Sequence, residues 1–262
     1  MRLARLFPHI CYDLYESSTM LPTLKHIAKR VLYPGLDLHT RCRYRYLGPL
    51  IQGGPLNTLD AGFGNGALSY LAYRKGNRVL GVSFNAREVR DTQAYFTQLN
   101  IPTDQIDLRE LNLYNLRQLD STFDQIICSE TLEHIARDGE MVQLFADLLR
   151  PGGRLILCCP HARHPEHALG RTNEPETGYH VRDGYTLESY GAILAPTGLR
   201  ITQVLGIGSP LLCKLDLWLR LTRLRVGDLG ALPLFIGLIG LTRFDRPNPP
   251  MPFSLTVVAE KI

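Results

Sequence analysis

The sequence predicts an α/β fold with a mostly parallel sheet and helices on both faces. Three observations carry this. Strand and helix patterns alternate from residue 56 to about 160, the rhythm of βαβ units. The strand segments are near-continuously apolar, as expected when both faces of a sheet are covered. The first of them ends in a glycine-rich turn, Asp60-Ala-Gly-Phe-Gly-Asn-Gly66, that opens a helix.

Taken in order, Leu56–Ala61 reads as the first strand and Ala67–Arg74 as a helix closed by Gly76. Arg78–Ser83 is the second strand, and Ala86–Leu99 a helix stopped before Pro102. Gln105–Leu111 and Phe123–Ser129 are the third and fourth strands. Gly139–Leu149 is a helix ended by Pro151-Gly152-Gly153, and Arg154–Cys159 the fifth strand. A long polar loop spans 160–184, followed by a helix over Thr186–Leu194 and a strand over Leu199–Leu205. The run from Phe253 to Ala259 is the last strand. Four regions follow: a helical cap over 1–50 (helices at Leu21–Leu32 and Leu38–Leu47), a core over 51–208, a leucine-rich insert over 209–245 and the final strand in 246–262.

Bulk composition narrows the class. A chain of 262 residues suits one large domain, or one domain with an insert. With 45% hydrophobic and 21% charged residues it is ordinary globular material, not a disordered chain. A net charge of +4 is too mild to indicate nucleic acid. Of the six cysteines none forms a C-x-x-C pair, and free thiols in apolar runs fit a reducing cytoplasm. The N-terminus lacks the apolar stretch of a signal peptide. No charge-free apolar run reaches the ~20 residues of a membrane span. The expected location is cytoplasmic, with peripheral contact at the inner face of a membrane left open.

The glycine turn can be read two ways. Gly62, Gly64 and Ala67 satisfy the G-x-G-x-x-A fingerprint of dinucleotide sites, a weak match alone. Asp60, at the mouth of the turn, is poorly placed for a pyrophosphate on the helix N-terminus. It suits a zwitterionic ligand carrying an ammonium and a sulfonium. Downstream stand Ser129-Glu-Thr-Leu-Glu-His-Ile135 and Leu149-Arg-Pro-Gly-Gly-Arg-Leu155.

With these stretches in place the chain resembles the class I methyltransferases that use S-adenosylmethionine, of the broad type that includes ubiquinone-biosynthesis and sugar-modifying members. The resemblance covers about residues 37–206 plus the last strand. It implies a Rossmann-like sheet of seven strands, the last antiparallel, with the cofactor at the carboxyl ends of the strands. By that resemblance Asp60, Gly62, Gly64 and Gly66, then Ser83 with Phe84, Asn112 with Leu113, and Ser129 with Glu130 surround the cofactor. Two positions depart from the family. Ser83 stands where an acid usually grips the ribose, and Asn112 where an acid usually meets the adenine. Both are neutral, so their hydrogen bonds are weaker. Ser83 followed by Arg87 would also suit the 2′-phosphate of NADP. An NADP-dependent oxidoreductase and a non-catalytic module that binds S-adenosylmethionine therefore stand as rivals.

Methyl transfer needs an aligned, water-free site, and a base only when the nucleophile arrives protonated. His134, at the start of the helix expected after the fourth strand, either faces the substrate or packs at the junction. Gly178-Tyr-His-Val-Arg-Asp-Gly-Tyr185 resembles an element of glycan-modifying methyltransferases. It offers His180 as a base and Arg182 as a bidentate holder of an anionic group. His161, His164 and His167 fall in a proline-broken loop where no helix face aligns the rings, so they read as a solvated loop and no metal is expected. Thr40–Tyr46 interleaves basic and aromatic residues but reads as a helix over the cofactor site, with an arginine near the methionine carboxylate, rather than as a nucleic-acid surface. At 100° per residue Leu211, Leu212, Leu215, Trp218, Leu219 and Thr222 form one uncharged stripe, flanked by basic residues. The insert is then either a lid on the sheet or an interfacial segment for a lipid-linked substrate, with membrane contact through 211–245. The acceptor is expected to be a small or lipid-linked molecule carrying a sugar, glycan or quinone hydroxyl. The oligomeric state is not legible.

Overall fold

A computed structural model describes residues 37–170 and 175–262. The helix expected over 21–32 lies outside these residues. The chain forms a seven-stranded sheet in the order β3-β2-β1-β4-β5-β7-β6. Its strands are β1 (Asn57–Ala61), β2 (Arg78–Ser83), β3 (Ile106–Glu110), β4 (Phe123–Ser129), β5 (Leu149–Pro160), β6 (Leu199–Ile207) and β7 (Ser254–Lys261). Only β7 runs antiparallel, pairing with β5 and β6, as the resemblance implies.

Period-2 alternation assigns the strand side chains to two cores. Leu59, Ile126, Cys128, Leu155, Leu157 and Val257 join one apolar cluster, and Ile127, Ile156, Cys158 and Val258 the other. The first is closed by helix α4 (Asp138–Leu148) and helix α5 (Leu187–Leu194), through Met141, Val142, Phe145 and Tyr190. The second is closed by α1 (Leu38–Leu47), α2 (Ala67–Arg74), α3 (Ala86–Gln98) and α6 (Pro210–Leu241).

Three elements depart from expectation. The fifth strand starts at Leu149, because the Pro151-Gly152-Gly153 turn is absorbed into it with a register shift against Phe123 and Gln125. His134 does not open a long helix. It sits in a single 3-10 turn, Leu132–His134, and α4 begins only at Asp138. The leucine-rich insert is two helical segments, together α6, that meet at a kink at Gly227, where φ is 72° and ψ 178°. Its expected apolar stripe is split. Leu212, Leu215 and Leu219 are buried, whereas Leu211 and Trp218 face outward. The buried side is rotated from the position the stripe suggested, with Asp216 turned inward to a charged partner and taking part of the interior.

Candidate active site

The glycine turn is fixed from below. Gly62 and Phe63 donate their N–H groups to the Val82 carbonyl at the end of β2. Gly62 has a φ of 81°, and a Cβ there would lie 2.2 Å from Thr131 Oγ1. Thr131, at the end of β4, can therefore sit on the turn only because residue 62 has no side chain. Gly64 is the opposite case: φ is 52° and a Cβ would meet nothing within 4 Å. Its backbone faces open space, the cradle a closely approaching ligand requires. Gly66 is the N-cap of α2.

Asp60 lies beneath this cradle and not on its open wall. It is 1% exposed, and its Oδ2 accepts a 2.6 Å bond from Ser69 Oγ in α2. Burial lifts its carboxyl to about 6. The expected contact with the ligand's charged end is replaced by a strut that holds helix to strand.

The missing ribose acid has a substitute. Ser83 Oγ donates 2.7 Å to Glu88 Oε2, which reaches back from the first turn of α3. A carboxylate therefore stands at the end of β2 after all. It would repel a 2′-phosphate, and Arg87, the group expected to attract one, pairs with Asp91 at 3.9 Å. The residues here fit ribose hydroxyls and not NADP. Glu88 was missed by sequence reasoning. The signal was the spacing Asn85-x-x-Glu88, in which Asn85 caps α3 and the acid three residues later lies next to the strand end. Phe84, the next residue, is 71% exposed, an open aromatic face beside this edge. Asn112 uses one lone pair of its Oδ1 to cap Tyr114 N at 3.0 Å, and Leu113 follows half-exposed.

At the end of β4, Ser129 accepts through its carbonyl from Thr131 Oγ1 at 3.1 Å. Glu130 adopts a left-handed φ of 52°. Its carboxylate pairs with Arg43 of α1 at 2.6 Å. Burial raises the Glu130 carboxyl and Arg43 opposes that. Of the arginines in the basic and aromatic stretch, Arg43 is the one that α1 brings to the end of β4, and Glu130 holds it.

The two histidine motifs converge. His134 and His180 meet edge to face with ring centroids 4.6 Å apart. Val181 donates to the Glu133 carbonyl at 2.9 Å, so the 178–182 segment lies on the 3-10 turn. His134 is held by backbone groups of Gly178 and Tyr179, and burial lowers its pKa. Behind them is a residue the sequence did not single out. Glu133 is 0% exposed, and neither of its oxygens has a sound hydrogen-bond partner among the described residues. Burial, aided by the Glu130 charge, pushes its carboxyl up to about 8, against weaker opposing contacts from its own backbone N–H, the Cys159 thiol and Arg43. Its Oε1 lies 4.0 Å from His180 Nε2. Glu133, His134 and His180 also bring one ligand atom each within 4.8 Å of one another.

Arg182 does not have the role expected of it. Its Nη1 pairs with Asp138 and bonds Tyr185 OH at 2.9 Å. Its Nη2 donates to the carbonyls of Ile135 and Ala136, both at 2.9 Å. The guanidinium fork is spent on the fold, so Arg182 clamps the loop and does not receive an anion.

The histidine-rich loop is not simply solvated. His164 and His167 pack on Phe253 at 5.2 and 4.3 Å. His164 Nε2 lies 3.8 Å from Cys213 Sγ of α6, with Glu166 close enough to complete a third ligand position. His164 Nδ1 accepts from Glu166 N at 3.3 Å. That leaves the ring proton on Nε2, facing sulfur, an arrangement that suits a hydrogen bond better than a cation.

Several known proteins that this chain is similar to are methyltransferases. A family described as a methyltransferase domain matches residues 59–157. The ubiquinone biosynthesis O-methyltransferase of Xanthomonas axonopodis pv. citri is 25% identical over 173 residues, 63% of this chain and 71% of the relative. The human mitochondrial ubiquinone biosynthesis O-methyltransferase is 25% identical over 58% of this chain and 43% of its own length. Among solved structures, an S-adenosylmethionine-dependent methyltransferase from Mesorhizobium loti superposes with a TM-score of 0.55 at 19% identity, over 86% of this chain and 100% of the other. Geranyl diphosphate C-methyltransferase from Streptomyces coelicolor A3(2), in complex with Mg2+, geranyl diphosphate and S-adenosyl-L-homocysteine, gives 0.58 at 17% identity, over 85% and 79%. These structural likenesses establish the fold.

Proposed function

Because the chain is a class I methyltransferase that uses S-adenosylmethionine, we propose that it methylates a hydroxyl of a small or lipid-linked acceptor, with His180 as the base. The observation that carries this is the buried Glu133 carboxylate 4.0 Å behind the His180 ring, with no well-formed hydrogen bond to either oxygen among the described residues. When bound, S-adenosylmethionine supplies an electrophilic methyl group. Gly64 would give it backbone access, the Ser83–Glu88 pair would hold the ribose, Phe84 would offer its open ring to the adenine, and Asn112 and Ser129 would border the pocket. His180 would take the acceptor's proton as the oxygen bonds the methyl carbon and the methyl–sulfur bond breaks, its electron pair staying on sulfur as S-adenosylhomocysteine leaves. Glu133 orients the imidazole and meets the charge that develops on it. His134, anchored to the loop, keeps the His180 ring edge-on.

An imidazole base is better matched to a phenol, with a pKa near 10 as in tyrosine, than to a less acidic sugar hydroxyl. A quinol phenol therefore ranks first, in keeping with the names of the relatives, and a sugar or glycan hydroxyl second. Five described cysteines are free, four of them buried, which supports work in the cytoplasm. No helix among the described residues is long and apolar enough to cross a membrane. A lipid-linked acceptor would be met peripherally, at the inner face.

Two measurements test the reading. S-adenosylmethionine and S-adenosylhomocysteine should raise the melting temperature and NADPH should not, since ligand at 100 times its Kd stabilises by ~2.7 kcal/mol. Labelled methyl should then pass from S-adenosylmethionine to a prenylated catechol faster than to an alkyl glycoside. Transfer to neither, with cofactor binding intact, would sink the proposed acceptor class. The ligand spacing of Glu133, His134 and His180 favours one second reading, a divalent cation that activates the hydroxyl. Chelation decides between them: turnover unchanged in EDTA supports the base, and turnover lost and restored by Mg2+ assigns the trio to a cation.

A further inference from the structure

The outer side of α6 carries a surface that the reaction does not use. Before the kink at Gly227, Leu217, Trp218, Leu221 and Leu224 are 47%, 55%, 44% and 53% exposed. On a helix they share one face with Lys214 and Arg225, at spacings of three, four and seven residues. Both basic residues are exposed, and neither forms an ion pair among the described residues. Of the acids in this stretch, Asp216 is buried against Arg220, and Asp228, past the kink, is neutralised by Arg223 at 2.7 Å. The surface is therefore apolar at its centre, cationic at both ends and without an unpaired acid among the described residues.

Such a face on a folded protein calls for an occupant, since scattered apolar residues are ordinary but a contiguous strip is not. The charge pattern chooses among the candidates. A second copy of this helix would set Lys214 and Arg225 against like charges. An anionic lipid surface meets both ends with phosphates and takes the strip between them into the headgroup boundary, where a tryptophan is at home.

We propose that this face of α6 docks the protein on an anionic membrane, with Trp218 at the boundary and Lys214 and Arg225 on headgroup phosphates. The position fits the purpose. Asp216, on the opposite side of the same turns, lies 3.6 Å from His39 of α1, and α1 carries Arg43 onto Glu130 at the site. Docking would thus hold α6, and through it α1 with Arg43, at the bilayer. It would serve the lipid-linked acceptor of the proposed function and rests on that reading for its purpose, while vesicle binding is measured without catalysis.

The chain contains a single tryptophan, so Trp218 reports directly. Intact protein is mixed with vesicles of phosphatidylcholine alone, or with an equal share of phosphatidylglycerol. With the anionic vesicles Trp218 emission should shift to the blue, acrylamide quenching should fall, and the protein should sediment. Salt should reverse all three. Lys214→Glu with Arg225→Glu should weaken binding on the order of tenfold or more, and Leu221→Asp should do so with Trp218 retained as the probe. S-adenosylmethionine affinity should stay unchanged in each variant, which shows that the fold survives. Sedimentation equal on both vesicle types, or none, with cofactor binding intact, overturns the docking and leaves the methyltransferase reading standing. A blue shift that grows with protein concentration without vesicles would assign the face to a second copy, and would also overturn it.

Discussion

His180 and Arg182 are two residues apart on one loop, and the structure uses them in opposite ways. Around Arg182 almost every polar group is answered: Asp138, Tyr185 and two carbonyls occupy the guanidinium, leaving only Nε unpartnered. Behind His180 stands a group that is not answered in this way. This carboxylate, Glu133, is fully buried with no well-formed hydrogen bond among the described residues, and its pKa is displaced upward. Satisfied polar clusters stabilise a fold, whereas an unsatisfied buried carboxylate costs stability and is kept where chemistry needs it. The loop thus appears as a clamp at one end and a reactive group at the other.

The most severe way to break this comparison is to remove the histidine. His180→Ala should slow methyl transfer by ~10²–10⁴-fold with little change in melting temperature or cofactor affinity. Arg182→Ala should do the reverse. It leaves Asp138 partly buried without its cation, which costs about 3 kcal/mol and on the order of 10 °C in melting temperature. Below that temperature cofactor affinity should persist. If Arg182→Ala left the melting temperature in place and abolished turnover, the clamp reading would fail, and Arg182 would return to the acceptor.

Glu133 sharpens the contrast through pH. Its carboxyl titrates near 8 in the folded protein and near 4.5 in the unfolded chain. Between those values the folded state holds a proton that the unfolded state has released, so stability falls as pH rises through this window. Activity should move the other way, rising toward pH 8 as the carboxylate ionises and can orient His180. Glu133→Gln keeps the shape of the protonated form. It should flatten the activity rise, and on the alkaline side it should melt several degrees above the parent. A Gln variant that kept the parent's pH profile would show that Glu133 is merely buried.

Some of this was legible in the residues and some was not. The bounds of β2, β4 and α2 follow directly from apolar runs punctuated by glycine, and the antiparallel last strand came with the family resemblance. The pairing of His134 with His180 was readable only as two separate motifs, because 45 residues of chain lie between them and only the folded backbone brings Val181 to the Glu133 carbonyl. Arg182 was misassigned for a related reason. A guanidinium in a loop suits a ligand or a carbonyl equally well, and Ile135 and Ala136 announce nothing in sequence. The insert was half legible. Periodicity identified a helix, but its buried side is rotated, with Asp216 inside and Trp218 outside. Asp60 looked like a ligand contact from its place at the strand end, and Ser69, nine residues on, turns it into a strut.

The smallest effect concerns Glu88, a third way of using a polar group. It is neither spent on the fold like Arg182 nor left without a well-formed hydrogen bond like Glu133. Ser83 Oγ gives it one hydrogen bond and leaves its remaining lone pairs for a ligand. Glu88→Gln keeps the shape and removes the charge, so it should weaken S-adenosylmethionine binding on the order of tenfold, the worth of a hydrogen bond to a charged group. Calorimetric titration reads this directly. The same variant should not gain affinity for NADPH, because Arg87 remains engaged with Asp91. Ser83→Ala should lose less, since Glu88 can then reach the ribose without its tether. Affinity unchanged in Glu88→Gln but lost in Ser83→Ala would place the ribose on the serine alone, and the acid at the end of β2 would be a helix cap and nothing more.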